Sequence, residues 1–435
     1  MLCNSSARIV SLDSDNYPVL KRLLAHPMTS LETLSLRLDG FEIPDDASDL
    51  AGEPAKVVPA LRKLSVGGNI GGFGFCIPHL THFKFHGWYS QEIGGKMLLS
   101  ILDVFRRCPM LEVVDVAWGE EFYDFQPPDL TQVVPVPLSH LRHLAQEQYV
   151  QITQPWLPDL LRLPKLCSVF LKAPILYLSM DTDPLSHPFL SANRPSLTDI
   201  RHVKLRAPYD PSYDAFGAAI ETTIETINGQ GAILSLQAAV LLVSSEPRPD
   251  WWTAPRDALT SLGLCVLQVF STGSPLVLCL DNYQLGDEAS TSVVQALYDL
   301  EKVTTLILCD STVEPCLVAL EPDNREKLVW CSTVHSLVIY SPSQLDSTGS
   351  DVLQSLLRVS KKRKMAGAPF RSVTLVIPSG TLVVSSGELA ALDEYIERFE
   401  FLTGDDAMDW DVDRYFIPDY DPVRTRPDEF AFDVI

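Results

Sequence analysis

Nine residues constrain this chain more than any others: Leu61-Arg62-Lys63-Leu64-Ser65-Val66-Gly67-Gly68-Asn69, which reads L-x-x-L-x-L-x-x-N. Side chains alternate between faces along a strand, so Leu64 and Val66 point one way while Lys63, Ser65 and Gly67 point the other. So short an apolar face cannot bury itself, and the motif folds only with copies stacked beside it. Copies are present. Leu31-Glu32-Thr33-Leu34-Ser35-Leu36 is a clean L-x-x-L-x-L, and Leu80-Thr81-His82-Phe83-Lys84-Phe85 repeats it with aromatic residues in the core slots. Further copies open at Leu111, Leu166, Ile200, Val303, Val334 and Phe370, with most intervals long enough for a strand, a loop and a full helix.

The expected class is therefore α/β: a leucine-rich-repeat solenoid, curved, with parallel strands on the concave side, helices on the convex side and irregular repeats. It covers residues 1–403, with a break or insertion around 209–274, and is followed by an acidic tail at 404–435. Helical periodicity marks 17–24, 96–107, 155–163, 215–227, 288–300, 351–364 and 387–401. One register stays open. Starting a repeat at Leu138 puts His143 in a core slot, and starting it at Leu141 puts Gln146 there.

Composition narrows the function classes. Hydrophobic residues make up 46% of the 435, enough for a sizeable core. A net charge of -22 repels phosphate backbones, so nucleic acid is excluded as a partner. The nine cysteines are scattered among apolar neighbours and include no C-x-x-C, which points to reduced core thiols and a cytoplasmic or nuclear protein. No apolar run is long enough for a membrane span, and the N-terminus lacks the core of a signal peptide. The expectation is a monomer without membrane contact.

No catalytic constellation emerges, and neither a cofactor nor a metal is expected. His79, His82, His86, His140 and His143 lie too far apart along and across strands for zinc bonds of about 2 Å. Asp409-Trp410-Asp411-Val412-Asp413 starts like a calcium loop, but Arg414 and Tyr420 stand where such a loop needs glycine and glutamate. Gly67 to Gly74 lacks the spacing of a phosphate-binding loop and reads as a turn. Lys361-Lys362-Arg363-Lys364 reads either as a nuclear signal or as cations at a helix C-terminus. The tail carries ten acidic residues against three basic, and reads as a cap, a mobile end or a docking segment for a basic partner.

The third, fifth and seventh positions of each repeat face outward. In the N-terminal half they bring Arg37, Lys63, His82, Lys84, His86, Lys172, His202, Lys204 and Arg206 onto one strip, interrupted by Asp115. The C-terminal half offers Ile307, Val338, Tyr340 and Val376 instead. In so acidic a chain the strip is either a solvated face or a site for an acidic protein surface.

Phrases such as His26-Pro27-Met28-Thr29-Ser30-Leu31-Glu32-Thr33-Leu34, Cys76-Ile77-Pro78-His79-Leu80, Arg107-Cys108-Pro109-Met110-Leu111 and Leu163-Pro164-Lys165-Leu166 resemble those of fungal F-box/leucine-rich-repeat proteins. The resemblance covers residues 7–400. It implies that the repeats capture a protein substrate, while an F-box grips a Skp-type adaptor of a cullin ubiquitin ligase. The repeat pattern here opens at Ala7, so no F-box is expected in this chain, and adaptor and cullin are partners only if one is supplied. The leading expectation is a non-catalytic protein-interaction module with an unknown protein ligand. The alternative is the substrate-recognition subunit of an SCF-type ligase.

Overall fold

The computed structural model describes residues 11–14, 28–38, 58–68, 77–87, 94–118, 134–148, 157–164, 167–174, 200–206, 218–228, 233–242, 276–281, 303–309, 313–322, 332–340, 345–377, 385–404 and 407. It is a mixed α/β structure whose strands are mostly parallel. Contacts group it into two units, residues 1–197 with 230–241, and 198–229 with 242–435. Among the described residues no helix is long and apolar enough to cross a membrane.

Strands are numbered along the chain. In the first unit β1 (Ser11–Ser14), β2 (Thr33–Leu38), β3 (Lys63–Gly68), β4 (His82–Gly87), β5 (Val113–Trp118), β7 (His143–Gln148) and β9 (Ser168–Pro174) pair in parallel in that order, and β12 (Ile233–Leu242) adds in parallel beside β9. Five of them, β2, β3, β4, β5 and β7, are entered in the same way. A turn closes from the N–H of Leu31, Leu61, Leu80, Leu111 and Leu141 to the carbonyls of Met28, Val58, Ile77, Cys108 and Leu138. Pro59, Pro78 and Pro109 fill the second turn position, where a fixed φ is an advantage. Two residues later the strand begins, with its register already set. The Glu32 carbonyl accepts from both Arg62 and Lys63 N–H at 2.8 and 2.9 Å, and the carbonyls of Arg62, Thr81 and Glu112 each accept the corresponding pair from the next strand.

That register stacks like on like. Leu34, Leu64, Phe83, Val114, Leu144 and Val169 form one buried row, and Leu36, Val66, Phe85 and Val116 form the next. Each such side chain contributes about 1.5–3 kcal/mol by leaving water. Helix α1 (Gly94–Arg107) closes this side through Ile101, Leu102 and Phe105, whose ring meets Phe83 edge-on at 5.8 Å. The open register resolves at Leu141. Gln146, only 2% exposed, takes the core slot beside Val116, and His143 stands on the opposite face.

In the second unit β10 (Ile200–Arg206), β13 (Leu276–Asp281), β14 (Val303–Cys309), β15 (Ser336–Tyr340), β16 (Ser372–Ile377) and β17 (Arg398–Thr403) run parallel in that order. Helices α2 (Val313–Ala319), α3 (Leu345–Met365) and α4 (Ser386–Tyr395) pack in sequence. The four basic residues ending α3 are largely absorbed by this layer. Lys362 and Arg358 pair with Glu321, Lys364 donates to the Glu394 carbonyl, and the buried Arg363 lies 4.6 Å from the Phe370 ring centre while donating to the Val334 carbonyl.

Three expected helices change. Residues 218–228 form β11 (Ala218–Asn228), antiparallel to β10, because Thr222, Thr223, Ile224, Thr226 and Ile227 are β-branched. The helix expected to reach Phe401 ends at Tyr395, since Arg398-Phe399-Glu400-Phe401 alternates and pairs with β16. Between Pro155 and Pro164 only a short 3₁₀ turn (Leu157–Leu160) forms, before β8 (Leu161–Arg162) pairs with β6 (Val136–Pro137). The helices expected at 17–24 and 288–300 lie outside the described residues, as do the calcium-like stretch and nearly all of the acidic tail.

Truncating Leu64 to Ala is expected to cost about 2–5 kcal/mol in chemical denaturation. Gln146→Leu, which places an apolar side chain of similar volume in an apolar row, is expected to cost less than about 1.5 kcal/mol or to stabilise.

Candidate functional site

The same register that buries one face of the first unit's sheet orders the other. Three rows cross it: Thr33, Lys63, His82, Val113, His143 and Ser168; then Ser35, Ser65, Lys84, Asp115, Ala145 and Phe170; then Arg37, Gly67, His86, Ala117, Glu147 and Lys172. Lys63 and His86 are exposed, and His82, Lys84, Asp115 and His143 are half-buried. Ser65, Gly67, Ala117 and Ala145 carry short side chains or none, so the larger polar groups stand above a low floor. The side chains of Arg37, Glu147 and Lys172 lie outside the described residues. Gly68 closes β3 at φ 92°, a conformation that a residue with a Cβ disfavours, which fits a turn at the start of the glycine-rich stretch.

The electrostatics differ from a plain cationic strip. Lys84 Nζ lies 3.3 Å from Asp115 Oδ2, with the two side chains 33% and 18% exposed, so the residue expected to interrupt the strip neutralises its central lysine. Such a part-exposed pair contributes no more than about 1 kcal/mol. The His82 ring is oriented by its neighbour. Thr81 Oγ1 lies 3.1 Å from the Arg62 carbonyl and 2.9 Å from His82 Nδ1, which holds the ring in place.

In the second unit the first outward row stays part-exposed and the other two are largely closed. His202 stands in register with Val277, Thr305, Ser336 and Ser372, and Lys204 with Cys279, Ile307, Val338 and Thr374. Ile307, Val338 and Val376, expected on an open surface, are fully buried, and Tyr340 is half-buried. Lys204 is 3% exposed and does not face solvent, because its row neighbours Cys279 and Ile307 belong to a layer closed to water. Glu225 of β11 stands opposite it in register. His202 is held below the usual imidazole range, first by burial and then by the positive charge of Arg201, which favours its neutral form. The Arg206 side chain lies outside the described residues. Of the nine strip residues, Lys63, His82, Lys84 and His86 are thus brought together on an accessible face, and Lys204 is withdrawn from solvent.

His143 joins that face unannounced, because its register was undecided in the sequence. A signal was present. Leu31, Leu61, Leu80 and Leu111 each follow an apolar residue three positions earlier, and Leu138 stands to Leu141 as Met28 stands to Leu31.

Among the described residues no three His, Cys, Asp or Glu side chains converge as metal ligands do. Cys108, Cys167, Cys279, Cys309 and Cys316 are buried thiols outside any disulfide. Burial pushes the Cys167 thiol up to about 12, so it holds almost no thiolate at neutral pH. The chain matches no protein-family model and no curated protein.

Two charge reversals separate surface from core. Lys63→Glu is expected to stay within about 0.5 kcal/mol of the parent. Lys204→Glu, which places a carboxylate in the closed layer, is expected to cost at least about 3 kcal/mol. Urea denaturation of both variants measures the difference.

Proposed function

We propose that this chain is a non-catalytic protein-interaction module, built as a leucine-rich-repeat solenoid, that presents the outward face of its N-terminal parallel sheet to another protein. One contrast carries the reading. All three outward rows of the first unit are part-exposed and floored by Ser65, Gly67, Ala117 and Ala145, whereas in the second unit only the row from His202 to Ser372 is polar and part-exposed and the rows of Lys204 and Cys309 are largely apolar and buried. A parallel sheet is ordinarily covered on both faces. A polar face left accessible on one is a place where a partner can complete the cover.

A second reading is substrate recognition for a cullin ligase. It is favoured by the turns that open β2, β4 and β5, which are the phrases resembling F-box/leucine-rich-repeat proteins. That role needs an F-box to hold the Skp-type adaptor. Co-purification of such an adaptor with the natural gene product would favour it over a stand-alone module.

Photo-crosslinking residues placed at Ser65 or Ala145 are expected to trap a partner in cells of the native organism. The same residue at the exposed Arg106 on α1 is expected to trap none. Equal trapping at all three positions, or trapping from α1 alone, would remove the outward face from consideration.

A further inference from the structure

The first outward row runs Lys63, His82, Val113, His143, so an exposed ammonium and two half-buried imidazoles lie across neighbouring strands. The row spans three inter-strand steps, about 14 Å, which is the length of about four residues of extended chain. Imidazole is the side chain whose charge changes between about pH 5 and 8. The His82 ring is held in place by the 2.9 Å contact between its Nδ1 and Thr81 Oγ1.

We infer that this row is a proton-dependent docking strip for an extended, carboxylate-rich segment of a partner protein, held more tightly once His82 and His143 are charged. The inference rests on the interaction reading above and names the chemistry of the partner.

Charge complementarity picks the occupant. The charged groups facing the two imidazoles are Lys63 from β3, Lys84 from β4 and Asp115 from β5, and the carboxylate of Asp115 is held by Lys84. Glu112 and Arg142, of opposite sign, stand just ahead of β5 and β7. From β9 the row neighbour is Ser168, which adds no charge. Without a ligand, the exposed Lys63 stands beside His82 with no acidic residue in their row, while Lys84 is paired with Asp115. An incoming carboxylate favours a charged imidazole, so binding and proton uptake assist each other by the same factor. Glutamate, with an ordinary pKa near 4.3, stays ionised throughout the histidine range, so the change arises on this protein.

Fluorescence anisotropy with a labelled oligo-glutamate peptide, at constant ionic strength and with the full chain, tests this directly. Affinity is expected to rise about tenfold from mildly alkaline to mildly acidic pH, as each new charge-assisted hydrogen bond forms. Calorimetry in buffers of different ionisation enthalpy is expected to show net proton uptake. The double variant His82→Gln, His143→Gln should flatten the pH dependence while keeping the weaker binding, and Lys63→Glu should weaken binding at every pH. Absence of peptide binding, equal affinity at both pH values, zero proton uptake, pH dependence that survives the double variant, or indifference to Lys63→Glu would each overturn the inference. A partner trapped at Ser65 or Ala145 but bound without pH dependence would leave the interaction reading standing and end this one.

Discussion

The architecture depends on a shared acceptor. One carbonyl just ahead of a strand takes two successive N–H groups from the next, as Glu32 does from Arg62 and Lys63, and Arg62, Thr81, Glu112 and, in the second unit, His335 do the same. Two bonds to one oxygen leave no freedom to slip by a residue, and a slip by one would turn every leucine of a strand toward water. The preceding turn delivers the chain to that acceptor, with proline at Pro59, Pro78 and Pro109 reducing the entropy lost in forming it. Hydrophobic burial then rewards a register that backbone hydrogen bonding has already selected.

The two units use this device to different ends. Strands such as Leu276–Asp281 and Ser336–Tyr340 are nearly continuous apolar runs, LVLCL and LVIY, the pattern of a parallel strand covered on both faces. In β3 and β4 the apolar residues alternate with Lys, Ser, Gly and His, and only one face is buried. The difference decides which outward residues remain available, and it is why Lys63 and Lys204, placed alike by the repeat pattern, end in such different environments. A lysine beside Ser65 and His82 stays wet; one in register with Cys279 and Ile307 does not.

Much of this was legible in the sequence, for a physical reason. The repeat pattern is read through apolar residues at fixed offsets, and burial of those residues is the dominant local constraint, so the strands at 31, 61, 80, 111, 303, 334 and 370 fall within two residues of their expected starts. The failures share a cause too. Residues 218–228 suit a helix by spacing, but their β-branched side chains and the available edge of β10 favour a strand. The placement of Lys204 failed because a period assigns a residue to a face and does not say what covers that face. The Lys84–Asp115 pair was misjudged for a related reason: the pattern put both on the strip, and only the register made them neighbours that cancel.

A chain of net charge -22 is an unexpected host for an acidic ligand, and the resolution lies in range. At physiological salt the Debye length is about 8 Å, so exposed carboxylates elsewhere on the molecule are largely screened from a ligand seated on this row. What such a ligand meets is the contact layer: Lys63, two imidazoles, and a lysine whose counter-ion Asp115 sits lower and more shielded. The long-range field then works as a filter. It slows encounter with acidic molecules in general, and only a segment that lays several carboxylates along the row at once recovers the loss, because contact energy accumulates along the row while the screened repulsion does not. Selectivity of this kind comes from the acidity of the whole chain as much as from the basic residues on one face.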